Sequence, residues 1–135
     1  MNRRIVILDD DEDTLEFLSI LLQAEGYEVH RRDLLFKDLA EVERLAPDLM
    51  ILDLFMGAQR AGWDFLQRLK ACPTTALIPL ILCTAGRLTP DQESITRQQD
   101  IPVVYKPFDL NELTHLVGHL LGSPAVAVEE TCQAD

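Results

Sequence analysis

The stretch PDLMILDLFM, residues 47–56, decides the fold. Leu49, Met50, Ile51 and Leu52 run without a polar break, and Asp53 then places one carboxylate before Leu54, Phe55 and Met56. Such a run is apolar on both faces of an extended chain, which predicts a central parallel strand covered by helices on both sides. An isolated charge is costly to bury in a core. Asp53 is therefore expected at the carboxyl edge of the sheet, where open α/β sheets place their ligands.

Outward from that strand, the same grammar repeats. Residues 5–8 form an apolar strand ended by Asp9, Asp10, Asp11, Glu12 and Asp13. Leu15, Leu18, Leu21 and Leu22 follow with helical spacing, and Gly26 marks the stop. Acidic residues in the first turn suit the positive end of that helix dipole. Residues 27–30 read as a short, more polar strand near an edge. Leu35, Leu39, Val42 and Leu45 mark a second amphipathic helix, ended by Pro47. A loop over 57–62 precedes a helix beginning near Trp63, with Leu66 and Leu69 inward. Residues 77–83 form another buried strand, leading to Thr84.

Thr89-Pro90-Asp91-Gln92 combines an N-cap threonine, proline at the first helical position and a glutamine that closes a capping box. It predicts a mostly polar helix to about residue 99. Residues 101–105 are the last strand, followed by Lys106-Pro107. Asp109 caps the final helix with Glu112 at its third position and Leu113, Leu116, Val117 and Leu120 inward; Gly122-Ser123-Pro124 ends it. Five strands alternating with five helices predict a doubly wound parallel sheet with right-handed crossovers. The domain is expected over residues 1–122, with a loose tail over 123–135.

A length of 135 residues fits one domain with a real core. Hydrophobic residues at 47% and charged residues at 26% are globular values. The net charge of −11, from 12 basic and 23 acidic residues, argues against direct nucleic-acid contact, which needs a basic face. No apolar run approaches the roughly 20 residues of a membrane span, and the N-terminal one is too short for a signal peptide. Cys72, Cys83 and Cys132 share no metal-type spacing, so reduced thiols in a cytoplasmic protein are expected.

Asp9 and Asp10 follow the first strand, Asp53 ends the third, Thr84 follows the fourth and Lys106 the fifth. In a parallel sheet these strand ends share one edge. Two carboxylates about 4 Å apart repel by roughly 4 kcal/mol at an effective dielectric near 20. A hard divalent cation relieves this, and a few carboxylates with waters is how Mg²⁺ is usually held. Lys106 and Thr84 then suit a phosphoryl group, as cation and hydroxyl donor. Asp53 suits the nucleophile that receives it.

Taken together, ILDDDED at 7–13, DLMILDLFMG at 48–57, LILCTA at 80–85 and YKPFDLNEL at 105–113 resemble a response-regulator receiver domain, the phospho-acceptor module of two-component signalling. The resemblance implies a flavodoxin-like α/β fold, with the five parallel strands in the order 2-1-3-4-5. It makes Asp53 the phosphorylation site. Mg²⁺ would be bound directly by Asp10, Asp53 and the backbone carbonyl of Phe55, and by Asp9 through water. Thr84 and Lys106 would contact the phosphoryl group, and the Lys106–Pro107 bond would be cis. The donor would be a sensor histidine kinase or phosphotransfer protein. A stand-alone receiver would signal by protein contact through its fourth helix, fifth strand and fifth helix, as a monomer or weak dimer through that face.

The chain departs from the family pattern in four places. Gly57 stands where proline is usual, and the loop from Asp53 to Gly62 is about one residue longer than is common. Val103 occupies a position that is often aromatic, while Tyr105, on the same face of its strand, sits beside the lysine. Phe55 and Gly86 occupy the two positions that influence phosphoryl hydrolysis, and neither can orient a water, so slow self-dephosphorylation is expected. Two other functions compete: a receiver-fold adaptor that is never phosphorylated, and a phosphohydrolase with an aspartyl intermediate. Against the second, Phe55 replaces the further aspartate such a site needs, and no substrate-covering cap is evident. A calcium loop starting at Asp9 fails at Thr14 and Ile20, where glycine and glutamate are required. His115 and His119, four apart, are expected on a solvated face, His30 on the surface, Cys83 in packing and Trp63 at the start of its helix.

Overall fold

The computed structural model describes residues 3–33, 35–54 and 61–122. The element order is β1 (Arg4–Leu8), α1 (Glu12–Ala24), β2 (Glu28–Arg32), α2 (Leu39–Leu45), β3 (Leu49–Asp53), α3 (Ala61–Ala71), β4 (Leu80–Thr84), α4 (Pro90–Gln98), β5 (Val103–Tyr105) and α5 (Leu110–Leu121). All strand pairs are parallel and the sheet order is β2-β1-β3-β4-β5.

Alternation along the central strands builds two cores. Leu49 and Ile51 of β3 join Ile5, Ile7, Ile81 and Cys83 beneath α1 and α5, with Leu18, Leu22, Leu113 and Val117 facing them. Met50 and Leu52 point the other way, to Phe65, Leu66 and Leu69 of α3, Val42 of α2 and, at the margin, Ile95 of α4. Every position of β3 and β4 is buried, as continuous apolar runs require. Glu28–Arg32 at the edge is mostly half-buried, in keeping with its polarity.

Several boundaries differ from the sequence reading. The second helix starts at Leu39, not Leu35, because Asp38 caps it, accepting a hydrogen bond from the Ala40 amide. Ala46 at φ 48° then turns the chain out of the helix. β2 runs to Arg32, two residues beyond the expected end. α3 starts at Ala61, two residues before Trp63. β4 starts at Leu80, not at residue 77: Leu77 is 90% exposed in a turn closed by Thr75 N–H to Cys72 O and Ile78 N–H to Thr75 O. Pro79, lacking an N–H, stands just before the strand. β5 is only three residues, since the Ile101 amide is drawn to Thr96 O of α4. In α5, Leu113, Val117 and Leu121 are buried, and Leu116 and Leu120 lie at the margin of the core.

The caps form as expected. Thr89 and Gln92 make a reciprocal capping box at 3.1 and 3.0 Å. Asp109 accepts from the amides of Asn111 and Glu112. The Lys106–Pro107 bond is cis. Among the described residues no helix is long and apolar enough to cross a membrane.

α3 can lie against the end of β3 only because residue 62 is glycine. A Cβ there would stand 2.1 Å from Leu54 O and 2.8 Å from Leu54 C, both backbone atoms. In an exposed helix interior Gly→Ala gains about 1 kcal/mol of propensity. Here the backbone must shift, and overpacking of this kind costs about 1–3 kcal/mol. Gly62→Ala is therefore expected to lower stability by up to about 2 kcal/mol net, read as a lower urea midpoint; a higher midpoint would contradict the close approach.

Candidate functional site

With β1, β3 and β4 adjacent, their carboxyl ends deliver Asp9, Asp53 and Thr84 side by side, and β5 adds Lys106. Asp9, Asp10 and Asp53 each offer a carboxylate oxygen within 4.8 Å of the others. Asp9 and Asp53 are buried and Asp10 is exposed. Lys106 Nζ donates to Asp9 Oδ2 at 2.7 Å and to Asp53 Oδ2 at 3.3 Å. The other oxygen of Asp9 accepts the Asp11 amide at 2.9 Å, which anchors the β1–α1 turn.

Burial works against the Lys106 ammonium, yet the hydrogen bond it donates to Asp9 and the charges of Asp53 and Asp9 outweigh it, and its pKa is raised above the ordinary value. Like charges converge here and one lysine partly balances them. The donor set is all oxygen, the hard type that suits Mg²⁺ rather than an imidazole- or thiolate-seeking metal. The residues present therefore fit that ion.

Thr84 is fully buried at the same edge, but its hydroxyl is turned into the β4–α4 turn, accepting the Gly86 amide at 3.1 Å and lying 3.4 Å from Gly86 O. Alternation explains this: Thr84 continues the parity of Leu80 and Leu82, which face α3, whereas Asp53 continues that of Leu49 and Ile51. Val103 packs at the margin of the α2–α4 core and Tyr105 is exposed, with Arg87, Leu88 and Glu93 around the hollow it borders. The sequence-predicted Phe55 carbonyl, with Gly57, Gln59 and Arg60, lies outside the described residues, as do Cys132 and the rest of 123–135.

From the sequence alone Cys83 is expected in packing. The register adds that it is the cross-strand partner of Asp53 and borders the site. Burial pushes its thiol up to about 12; Lys106 pulls it down, and Asp9 and Asp53 push it further up. A residue one before the β4 threonine must flank the β3 aspartate, a relation legible only once the register is known. Cys72 is the opposite case, its pKa lowered by the Thr74 hydrogen bonds. Since the thiolate is the nucleophile, iodoacetamide at mildly alkaline pH is expected to label Cys72 at least about a hundredfold faster than Cys83 in the folded protein, read by peptide mass mapping.

α1 presents Phe17 and Ile20 to solvent at 50% and 60% exposure. Phe17 also borders an apolar groove of about 610 Å³ that includes Thr14, Phe108 and Leu110 and reaches Lys106 itself.

A family model described as the response regulator receiver domain matches residues 5–118. The DNA-binding dual master transcriptional regulator RpaA of Synechocystis is 34% identical over 119 residues, which are 87% of this chain and 48% of RpaA. The DNA-binding response regulator MtrA of Mycolicibacterium smegmatis is 32% identical over 113 residues, 84% of this chain and 48% of MtrA. The chain thus spans about half the length of these two relatives. An uncharacterized 14.6 kDa protein of Leptolyngbya boryana is 30% identical over 113 residues, and 86% of it is covered. Among solved structures, the signal receiver domain of a DNA-binding response regulator from Colwellia psychrerythraea superposes with a TM-score of 0.75 at 25% identity, covering 89% of this chain and 98% of that one. A CheY-like response regulator receiver domain protein from Methanospirillum hungatei shares the fold, with a TM-score of 0.77 at 21% identity over 90% of this chain and 94% of that one.

Proposed function

The chain belongs to the response regulator receiver domain family, whose members are signalling phospho-acceptors, and from that premise we propose that it is a stand-alone receiver phosphorylated on Asp53. The observation that carries this reading is the packing of three carboxylates within 4.8 Å of one another, two of which, Asp9 and Asp53, accept from the Lys106 ammonium. An Asp53 oxygen attacks phosphorus as the P–N bond of a phosphohistidine donor breaks, and the bonding electron pair leaves with the imidazole. Asp53 gives up no proton in this step, which suits an ionised carboxylate. Asp10, Asp53 and the Phe55 carbonyl would hold Mg²⁺ directly and Asp9 through water, and the ion would neutralise charge on the incoming phosphoryl group.

Lys106 then exchanges part of its carboxylate contact for phosphoryl oxygens, and Thr84 must turn its hydroxyl away from Gly86 to reach them. The phosphoryl group adds about −1.5 to −2 of charge. That drives the turn, and with it the surface of α4, β5 and α5 where a downstream protein would bind. The donor is a sensor histidine kinase or phosphotransfer protein whose histidine-bearing helix lies along Phe17 and the groove beside Lys106. The receiver occupies residues 1–122, and the protein works in the cytoplasm as a monomer or weak dimer; the tail expected over 123–135 lies outside the described residues. The net charge of −11 supports a chain that signals by protein contact rather than by binding nucleic acid itself. RpaA and MtrA, described as DNA-binding, mark the alternative of a receiver joined to an effector.

The test is incubation of the purified protein with a small acyl phosphate, with and without Mg²⁺, read by intact mass. A Mg²⁺-dependent phosphoryl adduct is expected. No adduct from this donor or from a phosphohistidine protein, together with no Mg²⁺ binding, would move the reading to an adaptor that is never phosphorylated; turnover of phosphomonoesters would move it to a hydrolase. In this account Phe55 cannot orient an attacking water, so decay of the acyl phosphate is slow. Phe55→Asn is expected to speed decay of the adduct several-fold, and an unchanged decay rate would remove Phe55 from it.

A further inference from the structure

We propose that α5 carries a second metal site, for an imidazole-seeking ion of the Zn²⁺ class, built from His115, His119 and Glu112. The two histidines are four residues apart on a 12-residue helix, both exposed and turned away from the buried Leu113, Val117 and Leu121. On a helix, residues at that spacing sit one above the other, the arrangement by which two imidazoles chelate one metal. Glu112 lies one turn before His115 and is also exposed. All three line one groove of about 820 Å³ between α5 and the open edge of β5, which Asp109 also lines.

The donors are free to turn toward an ion. Among the described residues no hydrogen bond or ion pair engages either imidazole or the Glu112 carboxylate. His30 is different: its Nε2 lies 2.6 Å from Glu28 Oε2, which Arg4 also holds at 2.8 Å. The α5 site is not preassembled, since among the described residues only Asp9, Asp10 and Asp53 form a group of three or more whose ligand atoms converge within 4.8 Å. Gathering the α5 donors takes rotamer changes at the surface and breaks no hydrogen bond or ion pair among the described residues.

Two nitrogens and one carboxylate oxygen make a borderline donor set that Zn²⁺ accepts tetrahedrally with one position left open. Mg²⁺, which prefers oxygen in octahedral array, selects the aspartate edge instead. The two sites therefore sort metals by hardness.

The experiment is a Zn²⁺ titration of the whole chain against a chromophoric chelator near neutral pH, with Mg²⁺ in excess to hold the aspartate edge. One Zn²⁺ per chain is expected. His119→Ala is expected to weaken it at least about tenfold, as disturbing a metal's ligand environment does, and the double variant His115→Ala/His119→Ala to lose it. Circular dichroism checks that these surface variants keep their fold, and His30→Gln should bind as the parent does. Zn²⁺ held equally by the folded double variant would assign the ion to the thiols or the aspartates and overturn the proposal, as would no Zn²⁺ taken up by the parent.

Discussion

Asp53→Asn is expected to leave the protein folded and unable to take up a phosphoryl group, with incorporation falling at least about a hundredfold because a neutral amide cannot serve as the carboxylate nucleophile. The fold should survive because the substitution is close to isosteric and removes one of several negative charges sharing the site. Lys106 keeps its shorter partner, Asp9 at 2.7 Å, and loses only the 3.3 Å contact. Mg²⁺ affinity should fall as well, since a carboxylate is lost from the cluster of three. Intact mass after acyl-phosphate treatment checks the first expectation and metal titration the second. An adduct of undiminished yield in the variant would place the acceptor elsewhere.

The second large effect concerns Lys106→Met. The side chains of Asp9 and Asp53 are 3% and 8% exposed, and Lys106 is the cation between them. Removing the cation from a buried charge pair is costly, about 3–5 kcal/mol. The metal-free variant should lose stability on that scale, read by urea unfolding. Mg²⁺ should restore more stability to the variant than it adds to the parent, because it supplies the missing positive charge. Equal metal-free midpoints would mean that water already screens these carboxylates.

The parent should show the same coupling through pH. The pKa of Lys106 is raised in the fold, so the stability it contributes is complete below the unfolded value near 10.5 and disappears as pH rises through the higher folded value. The metal-free parent should thus weaken at strongly alkaline pH, and Lys106→Met should lack that component.

How legible all this was depended on whether one residue or a partnership carried the information. β1, β3 and β4 declare themselves because buried parallel strands need unbroken apolar runs, and each leads to a polar residue at one edge: Asp9 just after β1, Asp53 and Thr84 at the ends of β3 and β4. The start of the second helix did not. Leu35 and Phe36 extend the apolar pattern, but Phe36 fills the core from a loop, stacked on Phe65 at a centroid distance of 6.2 Å with the Arg32 guanidinium 4.1 Å from its own ring. Burial from a loop and burial from a helix look alike in a string of letters. Leu77 misled for the reverse reason, as an apolar residue left in water.

At the site, the identities of Asp9, Asp10, Asp53, Thr84 and Lys106 followed from where strands stop. The choice of Asp9 as the closer partner of Lys106, the turning of Thr84 toward Gly86 and the flanking position of Cys83 did not. Those depend on rotamers and register, which no single residue encodes.

The placement of α5 bears on how this sheet could ever grow. α1 and α5 share one face, and on that face the right-handed step from β1 leads to β2. The same hand, applied after β5, carries the chain back over β4, where a strand already lies. Repeating the strand–helix unit at the C-terminus, by duplication or by design, therefore cannot widen the sheet at its β5 margin without a left-handed crossover. A sixth strand beside β5 would have to be supplied by another molecule, or by a segment that skips the alternation altogether.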